Sequence, residues 1–241
     1  MKKLMVVLCA MLLVFGFAGM TNAFLIDRGG SLIYDSDQDI TWLQDANYAQ
    51  TSGYDTDGLM TWDNAVAWAD NLVYGGFDDW RLPTTVDAQL DPSTGGIGYD
   101  GTTADGWNIT SSEMGYLYYI NLENKGIYNT EGNYQPDYGL INTGPFQNIA
   151  SNEHYGYWSS TEYGYIYIDP NGDPMPDTDY AWVFPFNDGR QSIDGTTSYV
   201  NAWPVRDGDV GPAPVPEPAT MLLLGSGLIG LIGFRKKFRK I

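Results

Sequence analysis

Histidine and cysteine are almost missing from this chain, which has one of each, His154 and Cys9. Cys9 sits inside an N-terminal apolar run, so the chain left after removal of that run has no thiol. A disulfide framework is therefore excluded, as are zinc sites built from His and Cys. A Ser-His-acid triad would have to run through His154 alone. Cations are nearly as scarce. Lys2 and Lys3 lie at the start, and Arg235, Lys236, Lys237, Arg239 and Lys240 lie at the end. The long middle keeps Arg28, Arg81, Lys125, Arg190 and Arg206 against thirty carboxylates, a formal charge of −25. Such a surface repels phosphate backbones and excludes nucleic acid as a partner. It also disfavours sulfated glycans and anionic lipid, and it favours divalent cations, basic partners or neutral sugars.

What is present is aromatic. All eight Trp and most Tyr are spread through the acidic middle, whereas disordered acidic tails are poor in aromatics. The middle is large enough to bury a core of its own.

Both ends read as targeting segments. Lys2-Lys3, the apolar run Leu4–Met20 and small residues at Thr21 and Ala23 predict a secretory signal over 1–23, cleaved after Ala23. The other end has three parts: a Pro-rich linker over 211–218 with Pro216-Glu217-Pro218, an apolar helix over 219–234, and a basic cytoplasmic tail over 235–241. Sixteen apolar residues make roughly 24 Å of helix against a ~30 Å bilayer core, short for a permanent span. Glycines at 225, 227, 230 and 233 suit close helix contact.

Between the ends, Phe24–Tyr34 predicts two short strands around an Asp-Arg-Gly-Gly turn, and Ile40–Leu43 a third. Thr61–Val73 has helical periodicity, with Trp62, Ala65, Val66, Ala69, Leu72 and Val73 on one face, Trp68 at its edge and Thr61 as N-cap. Phe77–Thr84 (F-D-D-W-R-L-P-T) puts Trp80 and Leu82 toward a core and demands a fixed carboxylate partner for Arg81. Thr110-Ser111-Ser112-Glu113 reads as a capping box with Thr110 as cap, opening a second helix to about Leu122. Strands follow at Tyr155–Glu162, Tyr180–Phe186 and Val200–Val205, with Asn187-Asp188-Gly189 as a hairpin turn. The order implies an α+β domain over 24–210, with two helices packed on a small antiparallel sheet and long loops.

Several stretches together resemble the Lcl C-terminal domain family: T-W-L-Q-D-A-N-Y-A, G-G-F-D-D-W-R-L-P-T, Y-W-S-S-T-E, Y-A-W-V-F-P-F-N-D-G and A-W-P-V-R. That resemblance implies a C-type-lectin-like fold. The Pro-Glu-Pro motif with its apolar and basic segments is similar to a PEP-CTERM sorting signal. It implies an exported envelope or extracellular protein that is transiently anchored in the inner membrane, handled by the secretion machinery and an exosortase, and associated with exopolysaccharide.

Candidate sites are oxygen-rich. Asp35, Asp37 and Asp39 have a D-x-D-x-D spacing that can converge on Ca²⁺. Asp169, Asn171 and Asp173 form a second such loop, and Asp55-x-Asp57-Gly58 a third. Each is also an ordinary turn composition. Asn187 and Asp188 resemble the Trp-Asn-Asp segment of sugar-binding lectins, with Glu162 as a partner carboxylate, although Phe186 replaces the Trp. Trp107, Tyr157, Tyr165 and Tyr167 are candidates for stacking against a sugar, while Trp62, Trp80, Trp158, Trp182 and Trp203 read as core. The sequence thus favours a non-enzymatic domain that binds a neutral glycan, a cell-surface glycan or another extracellular partner, with or without Ca²⁺. The alternatives are a carboxylate-based glycan-active enzyme and a matrix protein without a specific ligand.

Overall fold

The computed structural model describes residues 25–86, 97–151, 156–164, 166–168, 174–176 and 179–211. The signal with Ala23, the Pro216-Glu217-Pro218 motif, the apolar tail segment and Asp169, Asn171 and Asp173 lie outside them, as do His154 and Tyr165.

Two sheets carry the fold. The first is fully antiparallel, in the order β1 (Leu25–Gly29), β2 (Leu32–Asp35), β3 (Ile40–Leu43) and β11 (Val205–Asp207). The second runs β4 (Leu59–Met60), β10 (Val200–Asn201), β5 (Tyr157–Glu162), β8 (Tyr180–Phe184) and β9 (Ser192–Gly195). Its β10–β5 pair is parallel, through Asn201 and Tyr157, while its other pairs are antiparallel. Strands β6 (Ile166–Ile168) and β7 (Pro174–Pro176) form a separate hairpin. The expectation of one small antiparallel sheet is thus corrected to two sheets. The run Val200–Val205, read from sequence as one closing strand, switches from the second sheet to the first at Ala202-Trp203-Pro204. A proline cannot donate to a ladder, which favours the break there.

The second sheet is buried on both faces. Tyr157 and Phe184 face one cluster with Trp42, Tyr118, Phe186 and Trp203. Trp158, Ala181 and Val183 face another with Met60, Ala65 and Trp68. Double-sided burial explains why β8 is almost continuously apolar. Trp80 enters the first cluster and Leu82 the second. Arg81 between them exchanges two backbone hydrogen bonds of 2.8 Å with Val205. Further on, Pro83 accepts from Ser160 N–H (2.8 Å) and from the Ser159 hydroxyl (2.9 Å). The R-L-P-T segment therefore lies between β11 of one sheet and β5 of the other.

The helices are short: α1 (Tyr48–Thr51), α2 (Trp62–Asp70) and α3 (Glu113–Tyr116), the last continuing into a π-helical turn over Leu117–Asn121. Thr61 is the N-cap residue of α2, with no side-chain cap bond. Helix α2 stops at Asp70, where the Asn71 amide donates back to Ala67 O at 2.7 Å. Val73 is left exposed, whereas Trp68, placed at the edge by periodicity, is core. The cap of α3 is Ser112, whose hydroxyl accepts from Gly115 N–H, and not Thr110. Glu113 cannot reach back as a capping box requires, because Arg81 and Thr84 hold its carboxylate.

Candidate functional site

All five cations of the described domain are tied to carboxylates. Arg81 grips Glu113 at two points (2.9 and 2.8 Å) and also donates from Nε to Asp207 (3.0 Å). Glu113 in turn accepts from the Thr84 N–H at 2.7 Å. Burial alone would lower the Arg81 pKa, but Glu113 and then Asp207 more than offset it, so the guanidinium is held charged. Arg206 meets Asp79 through two bonds of 2.8 Å and lies over the Phe77 ring. Arg190 meets Asp105 at 3.0 and 3.1 Å and lies over Trp107. Arg28 pairs with Asp209, and Lys125 with Asp137. The cations are thereby committed to fold contacts, and the excess carboxylates are what the surface presents.

The first acidic loop is built inward. Asp35 is fully buried and accepts from Asp37 N–H (3.0 Å), Gln38 N–H (3.3 Å) and the Gln38 side chain (2.8 Å). Burial raises its pKa despite these bonds. Asp37 accepts from the Tyr116 hydroxyl, and Asp39 from the Tyr34 hydroxyl. Each carboxylate serves a different partner, and no group of three or more His, Cys, Asp or Glu able to hold a metal ion occurs among the described residues. The convergence of Asp35, Asp37 and Asp39 expected from their spacing is therefore not found. An Asx turn uses the same spacing to close itself. Asp55 likewise accepts from Asp57 and Gly58 N–H groups.

The lectin-like residues are not brought together either. Asn187 and Asp188 follow β8 in a turn packed on the π-helical segment, where Tyr119 donates to Gly189 O at 2.8 Å. Asp188 O accepts from Ile127 N–H, its carboxylate accepts from Arg190 N–H, and burial raises its pKa. Glu162 is exposed at the far end of β5, opposite Ala181. Seven residues, Pro185 to Gln191, separate β8 from β9, so the turn is longer than the tight hairpin expected. Of the stacking candidates, Tyr157 is fully buried and Trp107 nearly so.

A groove of ≈ 350 Å³ was not singled out in the sequence. Tyr99, Asp100, Thr102 and Thr103 line it on one side, and Thr130 and Glu131 on the other. Both sides come from Gly-, Asp- and Thr-rich stretches that read only as loop. Asn108 staples them, donating to Tyr99 O (2.7 Å) and to Tyr128 O (3.0 Å). The signal available was aromatic: Tyr99, Trp107 and Tyr128 recur within otherwise polar loops.

The profile of the Lcl C-terminal domain matches residues 31–206. The chain belongs to the Lcl C-terminal domain family. This Lcl C-terminal domain is followed by a match to the PEP-CTERM protein-sorting motif over 214–240, which supports an exported, envelope-associated protein recognised by an exosortase. No curated protein and no solved structure matches the chain. Among the described residues no helix is long and apolar enough to cross a membrane.

Proposed function

We propose that this Lcl C-terminal domain is a non-enzymatic binding module for a neutral glycan, delivered to the cell envelope or beyond by its sorting tail. The complete pairing of its five cations carries the reading. With no cation left over among the described residues, an anionic polymer meets only uncompensated carboxylates, whereas a neutral sugar needs no counter-charge and donates hydrogen bonds from its hydroxyls to them. The C-type-lectin-like architecture implied by the family resemblance fits that role. In the same reading residues 219–234 hold the chain transiently in the inner membrane, an exosortase cuts near Pro216-Glu217-Pro218, and exopolysaccharide is the glycan encountered. Any Ca²⁺ is held by the loop carrying Asp169, Asn171 and Asp173.

A polysaccharide binding panel tests this with the purified protein at low and moderate salt. Retention on neutral glucans, mannans or galactans that is indifferent to salt is expected. Retention only on sulfated or uronic-acid polymers would sink the reading, as would release of shortened sugars from a retained glycan.

A further inference from the structure

We infer that the groove between the 97–108 and 129–132 loops is the sugar subsite, with Tyr99 as the stacking surface and Asp100 and Glu131 as acceptors for sugar hydroxyls. The inference rests on the neutral-glycan reading above and gives it an address.

Tyr99 is unusually placed. Its ring lies parallel to Trp107, with centroids 5.6 Å apart and planes 7° apart, and Tyr128 meets both rings edge-on. Trp107 is in turn held under the Arg190 guanidinium, which Asp105 fixes. The ring is therefore rigid, yet the residue remains 40% exposed. A preorganised aromatic face costs little entropy when a ligand settles on it.

Gly132 packs close over the Cδ2 side of that ring. Its φ is +78°, and a Cβ built there would come within 3.2–3.5 Å of Cδ2, Cγ and Cε2 of Tyr99. Any side chain at this position would lie on the ring.

The groove walls supply polar groups suited to a polyol. Asp100 Oδ1 accepts from the Thr102 hydroxyl (2.7 Å) and N–H (3.1 Å), which hold its carboxyl below the usual range. One face of Glu131 is taken by the Asn133 amide through Oε2 at 3.1 Å. Each carboxylate has acceptor capacity left over, and each can take hydroxyls on adjacent sugar carbons. The Thr103 hydroxyl is spent on Asp105 O at 2.7 Å, so it shapes the wall. An aromatic face beside paired acceptors is the chemistry of a hexose ring, apolar on one side and hydroxylated at its rim. Two ionised carboxylates repel uronic acids and sulfated sugars from the same groove.

The test titrates the purified protein with neutral hexaoses (gluco-, manno- and galacto-configured) by calorimetry, beside a glucosamine hexaose and a uronic-acid hexaose. Tyr99→Ala is expected to weaken binding of the best neutral hexaose about tenfold or more. Glu131→Gln, at an exposed position, is expected to weaken it severalfold. Gly132→Asn is expected to weaken it, because Asn tolerates positive φ while its Cβ, 3.2–3.5 Å from the ring atoms, displaces Tyr99. Unchanged melting temperature in Glu131→Gln separates loss of the site from loss of the fold. If the wild type binds a neutral hexaose and all three variants bind as well as it does, this groove is the wrong address and the neutral-glycan reading survives. If no neutral sugar binds, or the charged hexaoses bind more tightly, the reading and the groove fall together.

Discussion

Arg81 and Glu113 lie 32 positions apart and close on each other through two parallel hydrogen bonds of 2.9 and 2.8 Å. Arg81 is also the backbone partner of Val205, and Glu113 also accepts from Thr84 N–H. One ion pair thus ties the start of α3, the segment between the sheets and β11. The side chains are only 26% and 16% exposed, so the Arg81 charge depends on its partners. Glu113→Ala is expected to cost about 3 kcal/mol, the low end for breaking a buried pair, because Asp207 still neutralises part of the charge. Asp207 is 79% exposed, and Asp207→Asn should cost about 1 kcal/mol or less. Urea midpoints of the two variants check the ranking. Equal shifts would mean that the pair with Glu113 has no special weight.

Gly115 offers a second stability test. In sequence it weakens the case for a helix. In the structure a Cβ at this position would lie 2.1 Å from Ile109 O and 2.8 Å from the Ser112 hydroxyl that caps α3. Backbone cannot yield as a flexible side chain can. Gly115→Ala, which helix propensity alone would call stabilising, is therefore expected to destabilise by about 1–3 kcal/mol. A rise in melting temperature would contradict this.

These two sites show what was legible. Short strands, the α2 periodicity and the need of Arg81 for a carboxylate follow from local pattern, because alternation, helical spacing and charge scarcity are local quantities. Which carboxylate answers Arg81 is not local. Glu113 looked like a capping residue because its partner lies far upstream. The sheet switch at Ala202–Pro204 and the parallel β10–β5 pair likewise depend on long-range pairing. Asp35, Asp37 and Asp39 read two ways for a related reason: a turn that closes on its own carboxylates and a turn that holds a cation share one spacing. The Tyr99 groove escaped notice because two loops far apart in sequence build it, and neither shows a motif alone.

Stability should rise on mild acidification. Burial raises the pKa values of Asp35, Asp105 and Asp188 above the ordinary 3.8. A carboxyl with a raised pKa takes its proton in the folded state first, so stability increases as pH falls from neutral toward the unfolded value. Asp79, held low mainly by its bonds to Arg206, acts in the opposite sense, and its contribution is lost below 3.8 as it protonates. Melting temperature is expected to climb from pH 7 to near 4 and then drop. Asp35→Asn should flatten the climb. A steady decline from pH 7 downward would refute the assignment.

Calcium should not act through the first acidic loop. Asp37 is held by Tyr116 and Asp39 by Tyr34, so Asp37→Asn and Asp39→Asn are expected to leave any calcium-dependent melting shift unchanged. Replacing Asp169 and Asp173 by Asn should remove whatever shift exists. Loss of the shift in Asp37→Asn alone would reverse this order.

The root of the sorting tail is fastened to the domain. After β11 the chain stays on the first sheet: Gly208 N–H donates to Asp39 O at 2.7 Å, the Thr41 hydroxyl donates to Gly208 O at 2.7 Å, and Asp209 pairs with Arg28. Gly211, the last described residue, is still held, its N–H donating to Asp209 Oδ1 at 3.1 Å. From there to Glu217 roughly six residues span at most about 20 Å, so the folded domain stays within that distance of the Pro-Glu-Pro motif. Arg28→Gln and Asp209→Asn loosen the fastening and lengthen the effective tether by roughly three residues, about 10 Å. In cells expressing these variants the processed fraction on immunoblots is expected to rise relative to wild type, with the melting temperature of the purified domain within a few degrees of it. A processed fraction equal to or below the wild-type value in both variants would show that the reach from the domain to the motif does not limit sorting.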